Sequence, residues 1–429
     1  NTLKADSSYF NPTLWQNGEM VKTKGYCSDV FTDAAIDFVE NNKEQPFFLY
    51  LAFNAPHAPL QVPQKYYNLY KDIDPAKGFE NDIRPFPEMD EKSKSAARKV
   101  YAMVSNIDEN MGKLLNKLNE LELEQNTLVI FMTDNGPVPY RYLAGMRGRK
   151  SLVFQGGVRV PCFWRYPREF KGNRDIFTPA SHYDILPTLA ELCGGKIPAD
   201  RKIDGKSLLP LLKNRKSVFS DRSLCRSWMR GLPEKYNNVS IRKGNYKLVG
   251  NCEEAATIEQ FELFNIAKDP YELNNIVESN NNKALALKTE MGRWLDEMVA
   301  SPNIVNPPRV VIGTRFENPS ILNLNDVVVL KNKQLKSNSA SWKIEIANSG
   351  SYDILFHFRQ KITADCQIQI NLGAFEHNVH FERPHSDVLK VENIQLPAVK
   401  ADLITSLLLI GENKNTYITP FYVEVRRRS

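Results

Sequence analysis

Thr127-Leu128-Val129-Ile130-Phe131-Met132-Thr133 runs directly into Asp134-Asn135-Gly136-Pro137. A short, near-continuous apolar run closed by Asp, Asn and Gly reads as a strand buried on both faces that ends in a tight turn. Upstream lies an amphipathic helix, from about Ser95 to Leu121. Its apolar side chains are Val100, Met103, Val104, Ile107, Met111, Leu114, Leu115 and Leu118, spaced for one helical face. Before it, Phe47-Phe48-Leu49-Tyr50-Leu51-Ala52-Phe53 is a second apolar run, again of strand length. Strand, helix, strand in this order predicts a βαβ unit with parallel strands and a right-handed crossover.

The flanks extend the pattern. Phe31, Ala34, Ala35, Phe38 and Val39 predict an earlier helix, with Ser28 or Asp29 as its N-cap. Val160–Tyr166 is a third strand candidate, followed by a short helix at about Asp184–Cys193 with Pro187 in its first turn. Beyond a proline-marked linker, Ser301-Pro302 to Pro307-Pro308, the apolar period shortens to two. Trp342, Ile344 and Ile346 alternate with polar residues, as do Tyr352, Ile354, Phe356 and Phe358, then Cys366, Ile368, Ile370 and Leu372, then Phe421, Val423 and Val425. Short alternating strands predict a β-sandwich. The expected fold is α/β, with a mixed, largely parallel sheet flanked by helices and a C-terminal all-β sandwich. Its expected parts are an α/β core over 1–235, a smaller α+β subdomain over 236–300 and an accessory sandwich over 301–429.

Composition narrows the function classes. The 429 residues are 42% hydrophobic and 25% charged, a globular balance that excludes a disordered chain. Fifty-six basic against 50 acidic side chains leave a net charge of +6, spread along the chain, which is no nucleic-acid signature. No apolar run approaches bilayer-spanning length. Cys27, Cys162, Cys193, Cys225, Cys252 and Cys366 show no CxxC pair and no metal-ligand spacing. Cys162 and Cys193, in apolar stretches, are expected to be buried free thiols.

The chemistry is expected in the loops that end the strands. In open α/β sheets ligands bind outside the carboxyl ends of the strands. Asn54-Ala55-Pro56-His57-Ala58-Pro59 follows the first strand and Asp134-Asn135-Gly136 the second, so His57 and Asp134 are expected to face one crevice. Asp134 and Asn135 offer adjacent carboxylate and amide oxygens, a set suited to calcium or magnesium; the same triplet also makes an ordinary turn. A third stretch, Gly145-Met146-Arg147-Gly148-Arg149-Lys150-Ser151-Leu152-Val153-Phe154-Gln155-Gly156-Gly157-Val158-Arg159-Val160-Pro161, sets four cations among glycines just before a core strand. Such cations can clamp an oxyanion or simply face water.

Together the three stretches resemble the sulfatase family of the alkaline-phosphatase-like superfamily. Phe48–Pro59 is similar to that family's block ending Pro-His-x-Pro. Thr133-Asp134-Asn135-Gly136 is similar to its metal-binding turn, and Lys150–Pro161 to its Lys…Glu-Gly-Gly…Arg-x-Pro block, with Gln155 where the family often has Glu. His182–Leu189 resembles its Asp-x-x-Pro-Thr helix, Arg242–Leu248 an edge strand of its smaller subdomain, and Phe261–Asn265 with Asp269-Pro270-Tyr271-Glu272 the segment that follows. The resemblance covers roughly residues 1–298.

The resemblance implies a sulfuric ester hydrolase. Asp134 and Asn135 would be two ligands of a divalent cation, calcium or else magnesium. His57 and Lys150 would contact the sulfate and help the ester oxygen leave. Arg141, Arg147 and Arg149 are further candidates for substrate anions, and loops 61–90 (with Arg84) and 220–238 for selecting the alcohol. The family's nucleophile, a formylglycine made from Cys or Ser in a Cys/Ser-x-Pro-x-Arg block, has no counterpart in this chain. It is expected, with further metal-binding aspartates, in an N-terminal segment of the same protein that completes the site. The implied substrate is a sulfated carbohydrate and the implied location periplasmic or secreted. Two alternatives stay open: a phosphodiester or phosphonate hydrolase of the same superfamily, or a non-catalytic protein that binds sulfated glycans.

Overall fold

The computed structural model describes residues 8–77, 89–138, 141–200, 202–214, 222–229, 233–324, 340–411 and 415–428. Arg84 and parts of both proposed selectivity loops lie outside them. The chain divides into two compact units, residues 1–229 with 234–292, and residues 230–233 with 293–429.

In the first unit a hairpin, β1 (Thr13–Gln16) and β2 (Glu19–Lys22), leads into α1 (Cys27–Asn41). The helix is capped at Tyr26 without a side-chain bond, not by Ser28 or Asp29. Asp29 is engaged elsewhere: its Oδ1 accepts from the amides of Asn106 (2.8 Å) and Asn110 (2.7 Å). Both asparagines are buried on α3 (Glu91–Glu120), which follows the single turn α2 (Gln64–Tyr67). The long helix starts four residues before the expected Ser95, because Asp90 caps it by accepting the Ser93 N–H at 2.8 Å.

Phe47–Phe53 departs from the expectation. Among the described residues it forms no strand and joins no ladder. Nor is it buried on both faces. Phe47, Leu49 and Leu51 pack with Val39, Leu114 and Leu118 of α1 and α3, whereas Phe48 and Tyr50 are 76% and 81% exposed. The second strand, β3 (Val129–Met132), pairs antiparallel with β4 (Cys162–Arg165), after the turn α4 (Gln155–Val158). The expected parallel pairing of 47–53 with 127–133 is therefore not formed. Apolar runs specify burial, while the partner and direction of a strand depend on chain distant in sequence.

The helix expected near Asp184 is α5 (Ile185–Leu192), followed by α6 (Leu209–Leu212). An antiparallel sheet of β5 (Ser223–Ser227), β6 (Val239–Lys243), β7 (Tyr246–Gly250) and β8 (Glu262–Asn265) closes the unit in sequential order, before α7 (Asn281–Val299). Cys162 and Cys193 are free, as expected, but both are exposed; Cys27 and Cys366 are the buried ones.

The second unit is the expected all-β region. After the turn α8 (Pro302–Val305) come β9 (Val310–Ile312), β10 (Ser320–Asn323), β11 (Ala340–Ile346), β12 (Gly350–Ile362), β13 (Cys366–Leu372), β14 (Phe375–Phe381), β15 (Ser386–Leu396), β16 (Val399–Leu409), β17 (Thr416–Ile418) and β18 (Tyr422–Arg427). One sheet runs β14-β13-β16-β11-β9, with β17 on β16; the other runs β10-β18-β12-β15. Their inner faces meet in one core containing Trp342, Ile344, Tyr352, Ile354, Phe356, Ile368, Ile370, Val423 and Val425. Each of these sits at an alternating position, as a strand with one face inward requires.

Candidate active site

The turn that ends β3 and the loop that carries Lys150 are stitched together through backbone. Gly136 donates its N–H to the Gly157 carbonyl at 2.9 Å, and Lys150 donates its N–H to the Pro137 carbonyl at 2.9 Å. Gly156 donates to the Arg147 carbonyl at 2.7 Å, closing the Lys150 loop on itself. No side chain fits this seam. A Cβ on Gly136 would enter the Gly156 carbonyl, and one on Gly157 would enter the carbonyls of Leu152 and Arg149. Gly136, Gly156 and Gly157 therefore permit close backbone approach.

Within the turn, Asp134 is exposed and its Oδ1 accepts the Asn135 N–H at 2.8 Å. The Asn135 amide donates to the Gly136 carbonyl at 2.9 Å, which leaves its own oxygen available to another partner. Two adjacent hard oxygen donors fit a divalent cation such as calcium or magnesium. They are a partial set: among the described residues no group of three or more His, Cys, Asp or Glu is arranged to hold a metal. Lys150 is half-buried, and no acidic side chain among the described residues pairs with its ammonium.

His57 is exposed, with Nδ1 2.9 Å from the Ala58 carbonyl of its own loop. Two tyrosines fix that loop. Tyr9 donates its hydroxyl to the His57 carbonyl and Tyr26 to the Gln61 carbonyl, each at 2.9 Å. Burial, with a smaller contribution from Cys27, pushes Tyr9 up to about 12, so it remains a donor at neutral pH. The loop and β3 share an apolar cluster in which Ala55, Phe53 and Leu60 pack with Met103, Ile107 and Phe131. Thus the turn and the Lys150 loop are joined directly, and the His57 loop is joined to β3 through this cluster.

The arginines are engaged differently. Arg147 is forked onto Glu262 at 2.5 and 3.1 Å, and its guanidinium lies 4.0 Å from the centre of the Phe154 ring. Its charge is already matched. Arg141 and Arg149 are half-buried, and burial lowers the Arg141 pKa, opposed by Tyr101.

One neighbour was not singled out from the sequence. His182 brings Nε2 to 2.9 Å from the Thr133 carbonyl, one residue before Asp134. Its turn is held rigidly: Asp184, fully buried, accepts from both terminal nitrogens of Arg222 at 2.5 Å, and Arg226 donates to Ser181 at 2.6 Å. The Asp-x-x-Pro-Thr segment marked this region, but nothing in its spacing pointed to a contact with β3. Among the described residues, no helix is long and apolar enough to cross a membrane.

The family model described as Sulfatase matches residues 2–195, and that described as N-sulphoglucosamine sulphohydrolase, C-terminal, matches residues 148–300. The chain is 30% identical over 328 residues to the uncharacterized sulfatase YdeN of Escherichia coli, covering 72% of this chain and 54% of that protein. It is 24% identical over 348 residues to an N-acetylglucosamine-6-O-sulfatase of Bacteroides thetaiotaomicron, covering 62% and 61%. The crystal structure of Ps i-CgsB in complex with k-i-k-neocarrahexaose superposes with a TM-score of 0.55 at 28% identity, over 66% of this chain and 58% of that one. The chain spans about half the length of the first two curated relatives it matches, 54% and 51%. On its motifs, its fold and the two models that together span residues 2–300, the chain belongs to the sulfatase family.

Proposed function

We propose that the complete protein hydrolyses sulfate esters of a sulfated carbohydrate. The observation that carries this reading is the backbone seam that sets the Asp134–Asn135 turn against the loop bearing Lys150. In a sulfate ester, cleavage places negative charge on the bridging oxygen, and preorganised cations lower that barrier. Lys150 supplies such a cation. His57 contacts the sulfate and, when protonated, donates a proton to the leaving oxygen. Asp134 and Asn135 hold a divalent cation, calcium or magnesium, which when bound neutralises charge on the sulfate oxygens. The formylglycine nucleophile and the remaining ligands come from an upstream segment of the same protein.

In this reading residues 1–235 form the core, 236–300 the smaller subdomain and 301–429 an accessory domain. Arg141, Arg147 and Arg149 are the candidates for additional substrate anions; Arg147 also braces its loop through Glu262. The sulfated-carbohydrate assignment is supported by the names of the similar proteins, an N-acetylglucosamine-6-O-sulfatase and a structure bound to a neocarrahexaose. Such a substrate implies a periplasmic or secreted enzyme. The test compares turnover of a sulfate monoester and a matched phosphodiester by the complete protein, followed by sulfate release from sulfated oligosaccharides. Preferential sulfate-ester turnover is expected. Preference for the phosphodiester would move the protein to the phosphohydrolase side of the superfamily, and no turnover of either would leave a binding protein.

A further inference from the structure

Lys150 lies between two residues that are both tied to one distant segment, 262–272. On one side, Arg147 is forked onto Glu262, and its backbone N–H reaches the Tyr271 carbonyl at 3.4 Å. On the other, the buried Gln155 N–H donates to Glu272 Oε2 at 2.5 Å. The second oxygen of Glu272 accepts from Lys247 Nζ at 2.6 Å. This ion pair is almost wholly enclosed, with side-chain exposures of 0% for Glu272 and 3% for Lys247. Close by, Val153 and Phe154 pack with Val249, Phe264 and Ile266.

Such a pair is a poor device for stability, since desolvation of both charges offsets their attraction, and an apolar pair of similar size often serves as well. It is a good device for geometry, because an ionised carboxylate holds an N–H more strongly and directionally than a neutral acceptor. The backbone points the same way: Glu272 has φ 62°, a left-handed conformation disfavoured for a residue with a side chain and retained when surrounding contacts demand it. Burial lowers the Lys247 pKa, and the attraction of Glu272 opposes that shift.

We propose that Glu272, paired with Lys247, is a positioning residue for Lys150, holding the loop from its Gln155 end while Arg147 and Glu262 hold the other. The assignment rests on Lys150 acting in the reaction described above. It makes the 239–272 region part of the catalytic apparatus although no side chain there need touch substrate.

The test uses Glu272→Ala, Lys247→Met and the double variant Glu272→Gln/Lys247→Met in the complete protein, read by hydrogen exchange and sulfate-ester kinetics. Glu272→Ala is expected to speed exchange across residues 148–158, leave the long helix at 91–120 unchanged, and lower kcat by about 10- to 100-fold, the usual range for supporting contacts around a site. In a Lys150→Ala background the same change is expected to cause no further loss, because both act through one group. The double variant keeps a weaker, neutral acceptor for Gln155 with no buried charge, and is expected to recover part of the kcat lost in Glu272→Ala or Lys247→Met. Unchanged exchange across 148–158, or an equal fold-loss in both backgrounds, would overturn the proposal. Full turnover in Lys150→Ala alone would remove the lysine from the reaction and its positioning residue with it, while exchange would still report separately on the tie between Glu272 and the loop.

Discussion

Gly136 and Gly157 meet backbone to backbone, N–H to carbonyl at 2.9 Å, although the chain runs through the whole Lys150 loop between them. This bond holds the Asp134–Asn135 turn against the loop that carries Lys150. A methyl group at Gly157 would collide with the carbonyls of Leu152 and Arg149. Gly157→Ala is expected to destabilise the first unit by about 1–3 kcal/mol, the cost of overpacking, and to lower turnover at least tenfold. Urea unfolding and a sulfate-ester assay check both; wild-type values in each would show that the seam is pliable.

Asp134 and Lys150 are exposed or half-buried and carry no part of the core. Their alanine variants are expected to change stability by about 0.5 kcal/mol or less, as is usual for surface positions, yet to lower turnover by about 100- to 1,000-fold, the usual loss when one group that stabilises developing charge is removed. A variant that folds and turns over at the wild-type rate would remove that residue from the site.

His182 meets the Thr133 carbonyl, one residue before Asp134. Its replacement by Phe keeps a ring and removes the bond. Supporting contacts of this kind alter metal affinity by about 10- to 100-fold, and calcium titration of the complete protein is expected to show a loss in that range. Unchanged affinity would make the bond incidental.

The clamp behind His182 is expected to be costly to break. Arg222→Leu would leave Asp184 charged and fully buried, a change worth about 3–5 kcal/mol. Denaturant titration measures it, and a loss below about 1 kcal/mol, the level of an exposed pair, would mean that water reaches the carboxylate.

Burial, reinforced by Glu290, pushes the Cys225 thiol up from 9.0 to about 12. The folded chain holds this proton more tightly than the unfolded chain. Its stabilising contribution is thus complete below pH 9 and lost as the pH rises towards about 12. Above pH 9, wild-type stability is expected to fall more steeply than that of Cys225→Ser, by about 1 kcal/mol per pH unit. Parallel slopes would contradict this.

The parts of the fold that were legible in the sequence are those set by local periodicity. The face of the long helix, the apolar run of Val129–Met132 and the alternating strands around Trp342, Tyr352 and Ile368 all follow from which side chains must leave water. Strand direction and pairing were not legible, because the partner of Val129–Met132 is Cys162–Arg165, and Phe47–Phe53 joins no ladder among the described residues. The candidate residues were recognisable because glycine, proline, Asp and Asn are unusual together after apolar runs. Their supports were not. Tyr9, His182 and Glu272 act through contacts to backbone atoms far away in sequence, and a backbone partner leaves no mark on the residue that carries it.

The central claim, that these loops surround one tetrahedral anion, is tested most directly by a crystal structure of the complete protein with calcium and a sulfated ligand. The expected result is one sulfate group within hydrogen-bonding distance, about 3 Å, of His57 and Lys150, beside a cation about 2.4 Å from oxygens of Asp134 and Asn135. A sulfate bound elsewhere, or a cation that ignores both residues of the turn, would contradict it.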